Sequence, residues 1–241
     1  MRKLKSSNNY LRNQTWKNLS ATILCIVGFV ALVFLAAFEK LVGWSWPVDF
    51  FELAALLGSL VPLGGAFFFW GKYRVFKGGL EGEKRVAKTL SSALSNKFYL
   101  LSGVAFGRGD VDQIVVGPNG VFVLETKNWS GKIGCSGDDW QRNKGGKFKG
   151  SPSMQLKRNV SQVKTVIGNS EFKALNIPVV GILVFANRHA DLHLNRPTVA
   201  VTKLDKLVRY ILQFPERDDF SGNLPRQLGK ELLKNARKSS T

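Results

Sequence analysis

The feature that most constrains the fold is a stretch near the middle of the chain, Gly109–Trp129, which has the pattern of a β-hairpin. Two runs of β-prone residues, Val111–Val116 and Val121–Lys127, flank the segment Gly117-Pro118-Asn119-Gly120. Glycine, proline and asparagine favour tight turns, because they either adopt unusual backbone angles or fix them in advance. The pattern therefore predicts two antiparallel strands joined by a four-residue loop.

The loop length also predicts the register of the hairpin. If the loop contains four residues, Val116 faces Val121, and counting outward places Asp112 opposite Glu125. Side chains alternate between the two faces of a strand, so Asp112, Glu125 and Lys127 project from one face. Two carboxylates directly opposite each other repel, whereas a divalent cation between them removes the conflict. The spacing therefore predicts a metal site suited to phosphodiester hydrolysis, and the alternative is a pair of exposed carboxylates.

The residues of this hairpin resemble a known family. Asp112 followed by Glu125-Thr126-Lys127 is similar to the signature of the PD-(D/E)xK nuclease superfamily. The longer segments GDVDQIVVGPNGVFVLETKNWSG and GLEGEKRVAKTL resemble the central block and the N-terminal helix of the nuclease-related domain, NERD. The resemblance covers Gly78–Leu212.

This resemblance implies an α/β fold, namely a restriction-endonuclease-like core in which a central mixed β-sheet is flanked by helices. It also implies a metal-dependent nuclease whose Glu83, Asp112 and Glu125 hold Mg²⁺ or Mn²⁺. Lys127 would orient or deprotonate the attacking water, and Gln155 would orient that water or a substrate phosphate. Simpler alternatives exist for three of these residues: Glu83 as a first-turn glutamate favoured by the helix dipole, Lys127 as a salt-bridge partner, and Gln155 as an exposed helix residue.

Hydrophobic periodicity predicts the remaining elements of this domain. The predicted helices are Leu80–Leu94, Met154–Ile167, Lys203–Leu212 and Leu224–Ala236, and the predicted strands outside the hairpin are Lys97–Ala105, Lys132–Cys135, Ile177–Ala186 and Thr198–Val201. Gln155 would then lie in the first turn of the second of these helices.

Two apolar runs precede the domain. Leu19–Phe38 contains about 20 uncharged residues, the length that a helix needs to cross a bilayer, and Leu53–Trp70 contains about 18. A signal peptide is the alternative for the first run, but its length and the second run close behind it favour a helical hairpin joined by Glu39–Asp49. Basic residues flank both outer ends of the hairpin, so the positive-inside rule places both termini in the cytoplasm.

The chain is strongly basic, with 35 lysine and arginine residues against 17 acidic residues and a net charge of +18. Such a balance indicates a polyanionic partner, either nucleic acid, for which we expect DNA, or anionic lipid headgroups. The two cysteines, Cys25 and Cys135, are too few and too separated for a disulfide framework or a cysteine-based zinc site. The sequence points to no particular protein partner.

Together these features predict four segments: a basic cytoplasmic leader at 1–18, a two-helix transmembrane hairpin at 19–71, a NERD-type nuclease-like domain at 78–213 and a basic C-terminal tail at 214–241. We expect a multi-pass protein of a bacterial inner membrane whose cytoplasmic domain hydrolyses phosphodiester bonds in DNA. Two alternatives remain. One is an inactive nucleic-acid-binding or scaffold protein that keeps the nuclease fold, and the other is a membrane protein whose basic domain docks on anionic lipid.

Overall fold

The computed structural model describes residues 1–4, 10–42, 48–106, 109–142, 146–147 and 150–238. The chain divides into two compact units. We call Asn9–Leu80 the helical unit, and we call Met1–Asn8 together with Glu81–Thr241 the sheet unit. The middle of the connector predicted at Glu39–Asp49 lies outside the described residues.

Two long helices build the helical unit. Helix α1 spans Tyr10–Val42, and helix α2 spans Val48–Ala93, so α2 begins in the helical unit and ends in the sheet unit. The separate helix predicted at Leu80–Leu94 is therefore the last part of α2. The run of α2 through Gly78 and Gly79 shows that two consecutive glycines weaken a helix without necessarily ending it.

Contacts within the helical unit make α1 and α2 antiparallel. Near one end, the rings of Tyr10 and Phe76 meet edge to face with their centroids 6.4 Å apart. Further along, a Cβ added at Gly65 would lie 3.0 Å from the Sγ of Cys25. The start of α1 thus lies beside the later part of α2, and the middles of the two helices lie beside each other.

Both helices expose large apolar side chains, among them Leu24, Val27, Val30, Phe34, Val61, Phe67 and Phe68. Over Tyr10–Leu35, helix α1 is long and apolar enough to cross a membrane, and it alone meets that criterion in the described part of the chain. The second predicted span, Leu53–Trp70, forms part of α2 but does not meet the criterion over the residues searched.

A six-stranded mixed sheet forms the centre of the sheet unit. Its strands lie in the order β1 (Arg2–Leu4), β2 (Tyr99–Ala105), β3 (Asp110–Gly117), β4 (Gly120–Lys127), β8 (Val179–Phe185) and β10 (Ala200–Lys203). β2, β3 and β4 form an antiparallel meander, whereas β4, β8 and β10 run parallel. The carboxyl ends of β4, β8 and β10 therefore meet at one edge of the sheet.

Helices cover both faces of this sheet. One face packs on α3 (Pro152–Gly168) and α5 (Leu224–Lys238), and the other on the end of α2 and on α4 (Leu204–Leu212). The fold is thus the α/β class expected, with a central mixed sheet flanked by helices.

A smaller sheet adjoins this core. It contains four strands in the order β7 (Gly146–Lys147), β6 (Asp139–Arg142), β5 (Gly131–Ser136) and β9 (Ala190–Asn195). Trp140 of β6 packs on Phe185 of β8 and donates its indole N–H to Ser153 of α3 at 2.7 Å. The small sheet therefore holds the start of α3 in place.

Both ends of the chain contribute to the sheet unit in ways that the sequence did not suggest. Residues 2–4, expected as part of a basic leader, form β1 and pair in parallel with β2. Helix α5, expected within a tail, buries Leu228 and Leu232 in the same core as the strands. The three residues of β1 are too few to show a periodic pattern, so the strand is identified only by its pairing with β2.

The central hairpin keeps the register predicted for it. Val116 pairs with Val121 and Ile114 pairs with Val123, as counting outward from the loop indicated. Gly117 and Gly120 also pair, so the turn itself contains two residues, Pro118 and Asn119, rather than four. Asn119 is buried and donates its side-chain N–H to the backbone oxygen of Ile211 at 2.7 Å, which ties the turn to the end of α4.

Close packing of α3 against β8 depends on a glycine. A Cβ added at Gly181 would lie 2.7 Å from Cγ2 of Val160 and 3.1 Å from Cγ of Leu156, both on α3. Because real Cβ atoms do not approach other atoms so closely, a larger residue would push the helix outward. Gly181 therefore sets how near the side chains of α3 come to the sheet.

We expect Gly181→Ala to lower the free energy of unfolding by about 1–3 kcal/mol, because it overpacks the α3–β8 contact. Val160→Ala in the same chain should recover part of this loss, since it removes the nearest clashing atoms. Gly134→Ala is a matched control, because nothing lies within 4 Å of a Cβ at that position. Chemical denaturation of the sheet unit measures all three, and equal destabilisation by Gly181→Ala and Gly134→Ala would contradict the packing explanation.

Candidate active site

The predicted site residues come from four elements that meet near the carboxyl end of β4. Asp112 lies in β3, and Glu125 and Lys127 lie in β4. Glu83 lies in α2 and Gln155 in the first turn of α3. α2 and α3 cover opposite faces of the sheet. Their site residues meet the strand residues where the ladder between β3 and β4 ends.

Asp112 marks the end of that ladder. The last backbone pair between the two strands on this side is Gln113 with Leu124. One residue further, Oδ2 of Asp112 accepts the backbone N–H of Thr126 at 2.7 Å. Burial raises the pKa of Asp112, while the charge of Lys127 and the Thr126 hydrogen bond act in the opposite direction. The carboxylate is thus fixed in position by the neighbouring strand.

Glu125 is almost fully buried, with 1% of its surface exposed. Its Oε1 accepts a hydrogen bond from Nζ of Lys127 at 2.6 Å, and its Oε2 accepts one from Nδ2 of Asn159 at 3.3 Å. Burial and the nearby charge of Asp112 raise the pKa of Glu125 to about 8, and Lys127 and Arg158 oppose this shift. A buried carboxylate with such a pKa is poorly neutralised by its protein partners alone.

Lys127 links the two sides of the site. Besides Glu125, its Nζ donates to Oε1 of Gln155 at 3.3 Å. The same atom lies 5.8 Å from the ring centroid of Trp129, close enough for a cation–π attraction. The structure therefore places Gln155 beside Lys127, as expected if both serve one site.

Glu83 approaches from the opposite face of the sheet. Its backbone oxygen accepts a hydrogen bond from Nε2 of Gln113 at 2.8 Å. The preceding residue, Gly82, permits this approach, because a Cβ there would lie 2.9 Å from Cβ of Asn128. Burial raises the pKa of Glu83 to about 8, with further contributions from Asp112, Glu125 and Asp110 and an opposing one from Lys127. Glu83 thus belongs to the same electrostatic cluster as the two strand carboxylates.

Sequence reasoning missed Asn159, which is buried and touches Glu125. Its Nδ2 also lies 3.5 Å from the backbone oxygen of Asp110, and its Oδ1 has no hydrogen-bond partner in the described residues. The available signal was its spacing: Asn159 follows Gln155 by four residues and so shares its helix face. A polar residue one turn after a candidate site residue was reason to include it.

A cleft of about 390 Å³ opens beside Lys127. It is lined by Lys127, Trp129, Gln155 and Arg158, with Met154 and the start of α3 completing the wall. Cations next to an aromatic ring suit a nucleic-acid backbone with its bases. Trp129 and Arg158 therefore join the candidate site as residues that the hairpin pattern did not identify.

The donor set of this site fits a hard divalent cation. Carboxylate oxygens are the protein ligands that Mg²⁺ and Mn²⁺ prefer. After burial, the charge of Asp112 is the next cause that raises the pKa of both Glu83 and Glu125. Within the described residues, no three histidine, cysteine, aspartate or glutamate side chains are gathered in a geometry ready to hold a metal. Hydrogen bonds from Lys127 and Thr126 hold Glu125 and Asp112 instead, so the carboxylates would have to turn to share a cation.

This fold and this site together define a nuclease-like α/β core. Residues 78–186 match the family model described as nuclease-related domain, NERD. That part of the chain therefore belongs to the nuclease-related domain family, which confirms the family expected from the hairpin and from α2. No curated protein and no solved structure matches the chain.

We expect the melting temperature of the metal-free chain to fall as the pH rises from about 5.5 to about 8.5. The folded-state pKa of Glu83 and of Glu125 is about 8, against a usual value of 4.5. Their contribution to stability is therefore full below the unfolded value and is lost as the pH rises through the folded one. Mg²⁺ should raise the melting temperature more at the upper pH, since deprotonated carboxylates bind it better.

Thermal denaturation of the full chain in detergent, with EDTA or Mg²⁺, measures these effects. The control is the Glu83→Gln/Glu125→Gln variant, which removes both titrating groups while keeping their size. It should show a flatter pH dependence and a smaller response to Mg²⁺. The same slope in both proteins would assign the pH dependence to other groups.

Proposed function

We propose that this protein is a membrane-anchored nuclease that uses a divalent metal ion, Mg²⁺ or Mn²⁺, to hydrolyse phosphodiester bonds in DNA. The nuclease-related domain supports the general function. The use of a metal ion is supported by the group formed by Glu83, Asp112 and Glu125. Burial and nearby carboxylates raise the pKa values in this group. A bound cation would remove the repulsion among these carboxylates.

In this proposal the three carboxylates supply the oxygen ligands. When bound, the cation polarises a phosphate oxygen and lowers the pKa of a coordinated water. Asn159 positions Glu125 through its hydrogen bond to Oε2, which leaves Oε1 to Lys127. Loss of Asn159 would therefore leave a buried carboxylate oxygen without its donor.

Lys127 is assigned to charge stabilisation. An ammonium group has three donors, and two of them go to Glu125 and Gln155. The third remains for an oxygen of the phosphate, where negative charge increases as water attacks phosphorus and the bond to the leaving oxygen breaks. Gln155 holds the ammonium group in this position.

The substrate is assigned from charge and from the cleft beside Lys127. Arg158 adds a second cation to that cleft, and Trp129 offers an aromatic surface. The whole chain carries a net charge of +18, which favours binding to a polyanion. DNA satisfies both features.

We expect the full chain in detergent to cut DNA in Mg²⁺ or Mn²⁺ and to leave it intact in EDTA. Glu125→Gln and Lys127→Gln should each lower the rate by about 100-fold or more, because the first removes a proposed metal ligand and the second removes the cation assigned to the reacting phosphate. Cleavage of linear and circular DNA, followed over time, measures the rate and separates an endonuclease from an exonuclease.

Lys97→Gln is the matched control for Lys127→Gln. Lys97 is an exposed lysine that also pairs with a glutamate, Glu216, at 2.7 Å, but it lies outside the site. The control should cut at the wild-type rate. DNA binding without cleavage in any metal, by the wild type and all variants alike, would favour an inactive nucleic-acid-binding protein of nuclease fold.

The membrane anchor is proposed to be a hairpin of α1 and α2. Residues Met1–Asn8 and Glu81–Thr241 belong to one compact unit, so the chain between them leaves that unit and returns to it. Both ends of the hairpin would then lie on the same side of the membrane as the nuclease domain. Cleavage of α1 as a signal peptide would separate β1 from the sheet in which it pairs.

The sequence and the exposed surface of α2 support its part in the hairpin. Pro62 lies inside this helix, where membrane spans tolerate proline better than soluble helices do. Exposed apolar side chains continue along α2 as far as Trp70, whose ring lies 5.2 Å from that of Tyr73 between centroids. The Nζ of Lys72 lies 4.2 Å from the ring centroid of Phe68. Aromatic residues followed by lysine are typical of a membrane–water interface. The basic flanks of the hairpin favour a cytoplasmic nuclease domain under the positive-inside rule, and we propose a bacterial inner membrane as its location.

Labelling of single cysteines in intact cells tests this topology. In a chain without Cys25 and Cys135, a membrane-impermeant maleimide should label a Ser45→Cys variant in the predicted connector. It should not label a Ser221→Cys variant until the membrane is opened, although Ser221 is exposed in the sheet unit. Labelling of the Ser221→Cys variant in intact cells would place the nuclease domain outside.

A further inference from the structure

A second groove lies near the carboxyl edge of the main sheet, separate from the cleft beside Lys127. Its volume is about 540 Å³. It lies between the sheet-unit part of α2, the end of β8 and the start of α4. The lining residues are Arg85, Thr89, Phe185, Ala186, Asn187, Arg188, Lys203, Leu204 and Asp205.

Positive charge dominates this groove. Arg85, Arg188 and Lys203 face a single acidic lining residue, Asp205. Among the described residues, none of these three cations forms an ion pair with a carboxylate, whereas several other surface cations do. Arg85 and Arg188 hydrogen-bond to the neutral or backbone partners Asn128, Glu81 and His189, so their charges are not balanced by a carboxylate. Cations in this state around an open groove suit an anionic ligand that arrives from solution.

The start of α4 adds donors to the same place. Leu204 and Asp205 line the groove and are the first two residues of this helix. Lys203 stands at the N-cap and makes no side-chain capping hydrogen bond. The first N–H groups of a helix attract anions, so backbone and side chains favour the same kind of ligand.

The groove is connected to the candidate active site through the strands. Lys127 pairs with Phe185, and Phe185 pairs with Lys203, so the ends of β4, β8 and β10 lie in register. Two strand spacings separate β4 from β10, a distance of about 10 Å. Stacked nucleotides rise about 3.4 Å each along one strand, so this distance along the edge alone corresponds to about three nucleotides. The cleft and the groove are lined by helices of opposite faces, which lengthens the path between them.

Arg85 connects the groove to the site directly. Its guanidinium donates to Oδ1 of Asn128 at 2.6 Å, and Asn128 follows Lys127 in the chain. Arg85 also lies two residues after Glu83 in α2. Arg85 thus ties the groove to the segment that follows Lys127, while its own position two residues from Glu83 directs it to another side of α2.

We propose that this groove binds a backbone phosphate of the nucleic acid, about three or more nucleotides from the phosphate that is cut. The inference rests on the proposed function and extends it, because it assigns a separate anchoring site to Arg85, Arg188 and Lys203. Anchoring at a distance fixes the strand across the carboxyl edge of the sheet. The anchored strand then holds the scissile phosphate beside Lys127.

The test compares two double variants of the full chain in detergent. Arg188→Gln/Lys203→Gln removes two cations of the groove and leaves Arg85 with its bond to Asn128. Lys206→Gln/Arg209→Gln removes two exposed cations of α4 that do not line the groove. Both variants lose the same charge, so a general effect of charge on DNA binding is matched between them.

Binding of a short duplex is measured in EDTA, where no strand is cut, over a range of salt concentrations. For the groove variant we expect about tenfold weaker binding or more at moderate salt. The slope of log affinity against log salt should also become shallower by about 0.9 for each phosphate that the groove no longer neutralises. The control variant should stay close to wild type in both measurements.

Other outcomes overturn the proposal. Equal weakening in the two variants would indicate general attraction, and a groove variant that binds like wild type would show that the groove binds no backbone phosphate. If inorganic phosphate stabilises the wild type but not the groove variant, while both bind the duplex equally, the groove is a site for free phosphate. A wild-type chain that binds no DNA contradicts the proposed function as well, which separates that failure from the failure of the groove alone.

Discussion

The interaction on which the rest of the site depends is the buried pair formed by Glu125 and Lys127. A carboxylate with 1% of its surface exposed is costly unless a cation or a hydrogen-bond donor accompanies it. Lys127 provides the charge at 2.6 Å, and Asn159 provides a second donor. Asp112 and Glu83 then add negative charge that these partners do not balance, as the raised pKa values show. The site thus gathers three carboxyl groups around one lysine, although the whole chain is strongly basic.

The packing of the helices explains how these carboxyl groups are held together around one lysine. Gly82 lets α2 approach Asn128 on one face, and Gly181 lets α3 approach β8 on the other. Each glycine therefore lets a helix bring polar side chains to the end of β4. Gly82 does so for Glu83, and Gly181 does so for Gln155 and Asn159. Side chains of ordinary size at these two positions would separate the helices from the sheet and open the site to water, which would weaken its electrostatic coupling.

The sequence was sufficient to predict the hairpin, its register, the shared face of the site residues in β4 and the family. These predictions succeeded because each depends on local spacing: Val116 and Val121 flank a short turn, and alternation along the strands does the rest. Asn159 could have been found from its helical spacing to Gln155. By contrast, β1 and the burial of α5 depend on contacts between distant parts of the chain, which no local pattern reveals. The convergence of Arg85, Arg188 and Lys203 is likewise set by tertiary structure.

The position of β1 affects the order in which the chain can fold. Leu4 packs close to Gly229, so two residues that are synthesised far apart in time become neighbours in the folded unit. During translation, the apolar helices are synthesised before β2, the strand with which β1 pairs. β1 therefore cannot pair until β2 has been made. Contacts between such distant residues close slowly. Completion of the main sheet would therefore be one of the last events in the biogenesis of this protein, after both long helices have been synthesised.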